Sequence, residues 1–168
     1  MLKKKNPRTK KWEAGGTNGG HLGSFQLVKF LSHGRAVAIL NLYYALLFAR
    51  VTEKQNYVLA GILQQAGYLN RSLKIAQLKN RKLAEIVIKG MLRFYKKIGF
   101  PRSLKLAGIP REQIQIMLAE AKNPQLKMKL QNMPIPLQVD KGDIESLMAP
   151  TLQAAYLGEP KMVPDFNP

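Results

Sequence analysis

Residues 37–48 make a nearly continuous apolar run, with Val37, Ala38, Ile39 and Leu40 followed by Leu42, Tyr43, Tyr44, Ala45, Leu46, Leu47 and Phe48, and Asn41 as its one polar member. A helix that is apolar all round is stable in water only when other elements surround it. The run therefore predicts a buried central helix, and the rest of the chain has to wall it in. It is too short to cross a bilayer, which takes about 18 or more apolar residues in a helix. The wider stretch from residue 36 to 49 is interrupted by Asn41 and stops at Arg50. No membrane association is expected.

The remaining segments also read as helix. Thr52 is placed to cap a helix over 53–69, with Tyr57, Ile62 and Leu63 roughly on one side and Asn70 at its end. Residues 82–98 carry Leu83, Ile86, Ile88, Leu92 and Tyr95 at helical spacing, closed by Gly99 and Pro101. Pro110 suits a first helical turn, with Glu112 near the positive end of a helix over 113–121. Asp143 can start a last helix through Tyr156 that Pro150 must kink or interrupt. No alternating pattern of useful strand length is present. The fold class expected is all-α, an irregular bundle of about six helices.

A chain of 168 residues with 46% hydrophobic content is long enough to bury one core. The expected division is a basic, disordered tail over 1–13, a helical domain over 14–160, and a C-terminal tail over 161–168. Cysteine is absent, which removes disulfides, thiolate nucleophiles and zinc fingers. The basic start is followed by polar and glycine residues instead of a secretory apolar segment, so a cytoplasmic protein is expected.

Charge argues for a separate function. Lys3, Lys4, Lys5, Arg8, Lys10 and Lys11 precede any acid, and removing these six from the net +17 still leaves +11. Such a surface suits a nucleic-acid binder, whose basic side chains displace counterions from phosphates. Trp12 is placed either to stack on a base or to pack on the body. Lys74, Lys79, Lys82, Lys89, Lys96, Lys97 and Lys105 read as scattered over several helices, and no helix-turn-helix is legible.

The two histidines, His21 and His33, flank a glycine-rich stretch containing Gly15, Gly16, Gly19, Gly20 and Gly23, and no aspartate precedes Asp140. Glycine lets backbone approach a bound group, and imidazole is a common metal ligand. Two imidazoles fall short of the three or more protein ligands usual for catalytic Zn²⁺ or Fe²⁺. On one straight helix the two rings would lie roughly 18 Å apart, at about 1.5 Å per residue. Spacing alone leaves two readings open: a shared metal, or one loop histidine and one helix-start histidine.

Two motifs, in order, resemble the iron-containing (group III) alcohol dehydrogenase family. Leu22, Gly23, Ser24 and Phe25 are similar to its Leu-Gly-Ala segment, and Ser32-His33-Gly34-Arg35-Ala36-Val37-Ala38-Ile39-Leu40 is similar to its Pro-His-Gly-x-Ala-x-Ala-Ile-Leu. Ile98-Gly99-Phe100-Pro101-Arg102-Ser103-Leu104 and then Gly108-Ile109-Pro110 resemble its Gly-x-Pro-x-x-Leu…Gly-Ile run. The resemblance covers roughly residues 14 to 160 and implies the fold of that family's helical C-terminal domain. It further implies oxidation of a small alcohol, or reduction of an aldehyde, with NAD(P) and a divalent Fe²⁺ or Zn²⁺ that polarises the substrate oxygen.

On that resemblance His33 is a metal ligand, and His21 is either a second metal ligand or a catalytic proton carrier. Gly34 and Gly20 would keep bulk from the ion, and Phe25 or Tyr44 would line the cleft unless they belong to the core. The family's other ligands, an aspartate and a first histidine in an Asp-x-x-x-His pattern, are missing, as is its Gly-Gly-Gly-Ser nucleotide loop. The run from Gly15 to Gly20 does not replace that loop, since it is not set between a strand and a helix. The chain is therefore expected to resemble the C-terminal part of a two-domain enzyme, inactive alone, that pairs with an upstream-encoded dehydrogenase domain or forms a homo-oligomer. The competing expectation beside the nucleic-acid binder is a truncated remnant that folds without turnover.

Overall fold

The computed structural model describes residues 4–5, 12–13, 27, 29–124, 130 and 133–167. Among these the architecture is all-α. Five α-helices are α1 (His33–Leu47), α2 (Glu53–Gln65), α3 (Asn80–Lys97), α4 (Glu112–Ala121) and α5 (Ala149–Leu157). Within the segment expected to be a disordered tail, Lys4–Lys5 (β1) pairs antiparallel with Trp12–Glu13 (β2).

The apolar run becomes α1 and lies at the centre. Ile39, Leu40, Tyr43, Leu46 and Leu47 are nearly or fully inaccessible. The helix packs on α3 and on α5, and α5 in turn packs on α4. One large cluster joins α1 to Ile88, Leu104, Met117, Ile144 and Leu152, while a smaller one gathers Ala60, Leu63, Leu69, Leu83 and Val87 between α2 and α3. Gly90 permits that second contact, because a Cβ there would sit 2.9 Å from Leu63 Cδ1 and 3.0 Å from Leu69 Cδ2. The leucines occupy the space a side chain would need.

Local chemistry moves several helix ends from their expected places. α2 stops at Gln65, short of Asn70, because Gly67 adopts a left-handed φ of 80° and the Tyr68 N–H turns back to the Leu63 carbonyl at 2.8 Å. That pairing, with Gly67 N–H on Gln64 O at 3.1 Å, satisfies the terminal carbonyls and ends the helix. α3 closes the same way at Gly99, where Phe100 N–H reaches the Tyr95 carbonyl at 2.8 Å. Thr52 does not cap α2 with its side chain. Its hydroxyl donates to the Phe48 carbonyl at 3.0 Å and accepts from Asn56 Nδ2 at 3.2 Å. Glu53 instead reaches across to accept the Asn80 N–H at 2.6 Å, tying the starts of α2 and α3 together.

Pro150 interrupts the last helical segment as its chemistry requires. Residues Ile144–Met148 form a wide π turn, and the α-helical register begins only at Ala149. A proline in a continuous α-helix would lack its own N–H and press its ring on the carbonyl four residues back, here that of Ser146. Asp143 stands at the N-cap of this segment with helical backbone angles, as expected of it, and its carboxylate accepts the Gln138 N–H at 2.7 Å.

The segment expected as a C-terminal tail is packed down. Val163 is buried, Phe166 meets the Phe48 ring edge-on at 6.2 Å, and the Arg81 guanidinium donates to the Val163 and Pro164 carbonyls, each at 2.7 Å. Charge-assisted bonds of this kind contribute about 1.5–3 kcal/mol each, and the guanidinium also holds Glu85 at 3.2 Å. Arg81→Met is expected to cost about 2–3 kcal/mol and to speed tryptic cleavage after Lys161. An unchanged cleavage rate would show that the packing of Val163 and Phe166, with the Arg50–Asp165 ion pair at 3.5 Å, secures this segment without Arg81.

Candidate functional site

His33 is the first residue of α1, half-buried, one position after Ser32, whose carbonyl accepts the Ala36 N–H at 3.0 Å. Beside it Gly34 faces open space, since a Cβ there would meet nothing within 4 Å. An imidazole at this position is held by a rigid, buried helix yet reaches the surface. His21, Gly20, Phe25 and the glycines from 15 to 23 lie outside the described residues.

The described residues do not by themselves build a metal centre. Among them no three His, Cys, Asp or Glu side chains come close enough to hold an ion. His33 supplies one imidazole, where a catalytic site needs three or more ligands. A complete ligand set at His33 would need donors beyond the described residues, such as His21.

What the structure does bring together is the pair of motifs that stand about sixty residues apart in sequence. The Tyr43 hydroxyl, on α1, donates to the Arg102 carbonyl at 3.0 Å. Arg35 places its guanidinium 5.5 Å from the centre of the Phe100 ring, a cation–π geometry, and Phe100 also packs on Tyr95 at 4.7 Å. The Tyr95 hydroxyl returns to α1, donating to the Ala38 carbonyl at 3.1 Å. Leu104 and Lys105 N–H groups bond the Ala155 and Tyr156 carbonyls at the end of α5, at 3.0 and 3.1 Å. Gly158, with a φ of 83°, then turns the chain so closely past Ser103 that a Cβ would stand 3.2 Å from the serine's own.

Burial sets the chemistry of the tyrosines in this junction. Removal from water pushes the Tyr43 phenol up to about 12, with the Glu159 carboxylate adding to the rise and Arg102 opposing it. The Tyr44 phenol is pushed up further by burial alone. Tyr44 does not line a cleft: it is buried in the core, stacked on Phe48 at 6.4 Å, and its hydroxyl finds no hydrogen-bond partner among the described residues. These phenols remain protonated near neutral pH, so neither serves as a proton acceptor there.

Charge is more ordered than it reads in the sequence. Lys82, Lys89 and Lys96 recur every seventh residue of α3 and so share one face, about 10.5 Å apart. Arg93 is exposed beside them. The seven-residue spacing that makes this line is present in the sequence, where the lysines of neighbouring segments mask it. Among the described residues no helix is long and apolar enough to cross a membrane. Comparison with known protein families, with curated proteins and with solved structures finds no match.

Proposed function

We propose that this chain forms the helical, metal-side part of a metal-dependent NAD(P) alcohol dehydrogenase acting on a small alcohol or aldehyde. The observation that carries the proposal is the junction just described. Two motifs identified by resemblance, one around His33 and one from Ile98 to Leu104, share a core and are fastened by Tyr43 on the Arg102 carbonyl and Arg35 on Phe100. Motifs that act in one site have to meet in space, and these do.

In this reading α1 is the rigid mount for His33, which contributes one ligand, and His21 is the second ligand or the proton carrier. The all-α bundle walls the substrate side of the cleft. No strand, glycine loop and helix unit suited to a dinucleotide's phosphates occurs among the described residues, so NAD(P) would be held by a complementary domain.

The test is metal content and hydride transfer, measured on the purified chain with and without a nucleotide-binding polypeptide supplied in trans. The chain alone is expected to carry far less than one equivalent of divalent metal and to show no NAD(P)-dependent turnover. Metal and turnover are expected together in the mixture, and His33→Ala is expected to abolish both. Stoichiometric metal in the mixture that survives His33→Ala would remove His33 from the site. Turnover by the chain alone would overturn the need for a second domain.

A further inference from the structure

An open cavity of about 560 Å³ runs between α3 and the turn at Pro160–Met162. Leu78, Ile86, Leu92 and Pro160 form its apolar lining, and Lys82, Lys89 and Lys161 stand along it. We propose that this groove docks an acidic amphipathic helix from a partner protein.

The charge balance selects the sign of the occupant. Two acids, Glu85 and Glu159, also line the groove, but Glu85 is already paired with Arg81 at 3.2 Å. Lys96 continues the line of Lys82 and Lys89 by one step, while the Arg93 guanidinium is already taken by the Tyr68 carbonyl at 3.0 Å. The seven-residue spacing selects the shape. Lys82, Lys89 and Lys96 advance about 10.5 Å per step, which is two turns of a second helix laid alongside. Carboxylates at every seventh position of that helix meet the lysines, and its leucines at the intervening third and fourth positions enter the apolar lining.

Other occupants fit less well. A second copy of this chain would bring another +17 against the same face. This chain's own residues outside the described set include no acid at all. A bilayer is flat, and the apolar lining lies within a cavity. Nucleic acid matches the lysines, but no Phe, Tyr or Trp lines the groove to stack on its bases. The inference is independent of the dehydrogenase reading, since it uses neither histidine and neither motif.

The probe is a fluorescein-labelled synthetic peptide of about 18 residues, five turns of helix, with a leucine stripe flanked by glutamates, titrated with the full chain and read by anisotropy. Binding is expected with Kd on the order of 10 µM. It should weaken tenfold or more when the leucines become serines, and tenfold or more in the Lys82→Glu, Lys89→Glu double variant. Both lysines are exposed, so circular dichroism should show that variant folded. Absence of binding overturns the proposal, and so does equal binding by the serine peptide, which would leave only charge attraction. Binding unaffected by the double variant places the peptide elsewhere and also overturns it. A single-stranded oligonucleotide that binds more tightly than the peptide and loses affinity in the same variant would make the face a nucleic-acid surface instead.

Discussion

Leu104→Ala is expected to lower stability by about 3–5 kcal/mol, and the melting temperature by roughly 8–15 °C. Leu104 has no accessible surface and sits in the large core shared with α1, α4 and α5. Its backbone cannot shift to close the cavity left by truncation. The N–H is fixed to the Ala155 carbonyl at 3.0 Å, and its own carbonyl accepts the Ala107 N–H at 3.1 Å and the Ile109 N–H at 3.0 Å. Sites that cannot collapse lie at the upper end of the cost for this substitution. Leu106, two residues on and 65% exposed, provides the comparison, and Leu106→Ala should change stability by less than about 0.5 kcal/mol. Urea and thermal unfolding followed by circular dichroism measure both. A loss below about 1 kcal/mol at Leu104 would mean that the junction between the two motifs relaxes freely. It would then be a poor mount for His33.

The central helix was legible because an all-apolar run of that length has one stable outcome in water, burial by other helices. The weak points were the ends, where single side chains decide. Thr52 has the residue type of a cap but spends its hydroxyl on the preceding turn, at the Phe48 carbonyl. Asn70 looked like the stop of α2, yet Gly67 acts three residues earlier because it takes a positive φ at little cost. Pro150 dictates a break by its missing N–H, and the form of that break is a π turn just before it that keeps Ile144 and Met148 buried. The C-terminal segment shows the limit of composition. It reads as a tail, while what holds it lies far off in sequence: Arg81 on its carbonyls, Phe48 against Phe166, and the core around Val163.

The candidate site was legible to a different degree. Residue types and order indicated the two motifs, and their contact through Tyr43 and Arg35 is a tertiary fact that no local pattern contains. His33 was expected at a helix start and stands at one. His21 falls outside the described residues, so its place relative to His33 is carried by the resemblance alone. The lysine face of α3 was present in the spacing all along, since helical geometry converts a seven-residue recurrence into a line.

Raising the pH from about 9 to about 11 is expected to remove roughly 3 kcal/mol of stability through Tyr43 and Tyr44, with Tyr95 adding to the loss. In each the phenol is pushed above its ordinary 10.0 by burial, to about 12 for Tyr43 and higher for Tyr44. Below pH 10 both the folded and unfolded chains keep these protons, and the phenols contribute no pH dependence. Above 10 the unfolded chain releases a proton that the folded one retains, so stability falls by about 1.4 kcal/mol per pH unit for each phenol until the folded pKa is reached. For Tyr43 that window runs from 10 to about 12. Lysine titration in the same range relieves the repulsion of a +17 chain and acts in the opposite sense, so the phenol contribution has to be read as a difference between variants. Tyr44→Phe isolates it. The substitution removes one titrating group and a hydroxyl with no partner among the described residues, so at pH 7 stability should stay level or rise by about 1 kcal/mol. Above pH 10 the advantage of the variant should widen with each step in pH. Tyr43→Phe should show the same widening from a lower start, because it gives up the bond to the Arg102 carbonyl. A constant offset between Tyr44→Phe and the native chain across that range would mean that the Tyr44 phenol ionises as readily in the folded bundle as in water. A phenol so readily ionised would not be buried in the core between α1 and its neighbours.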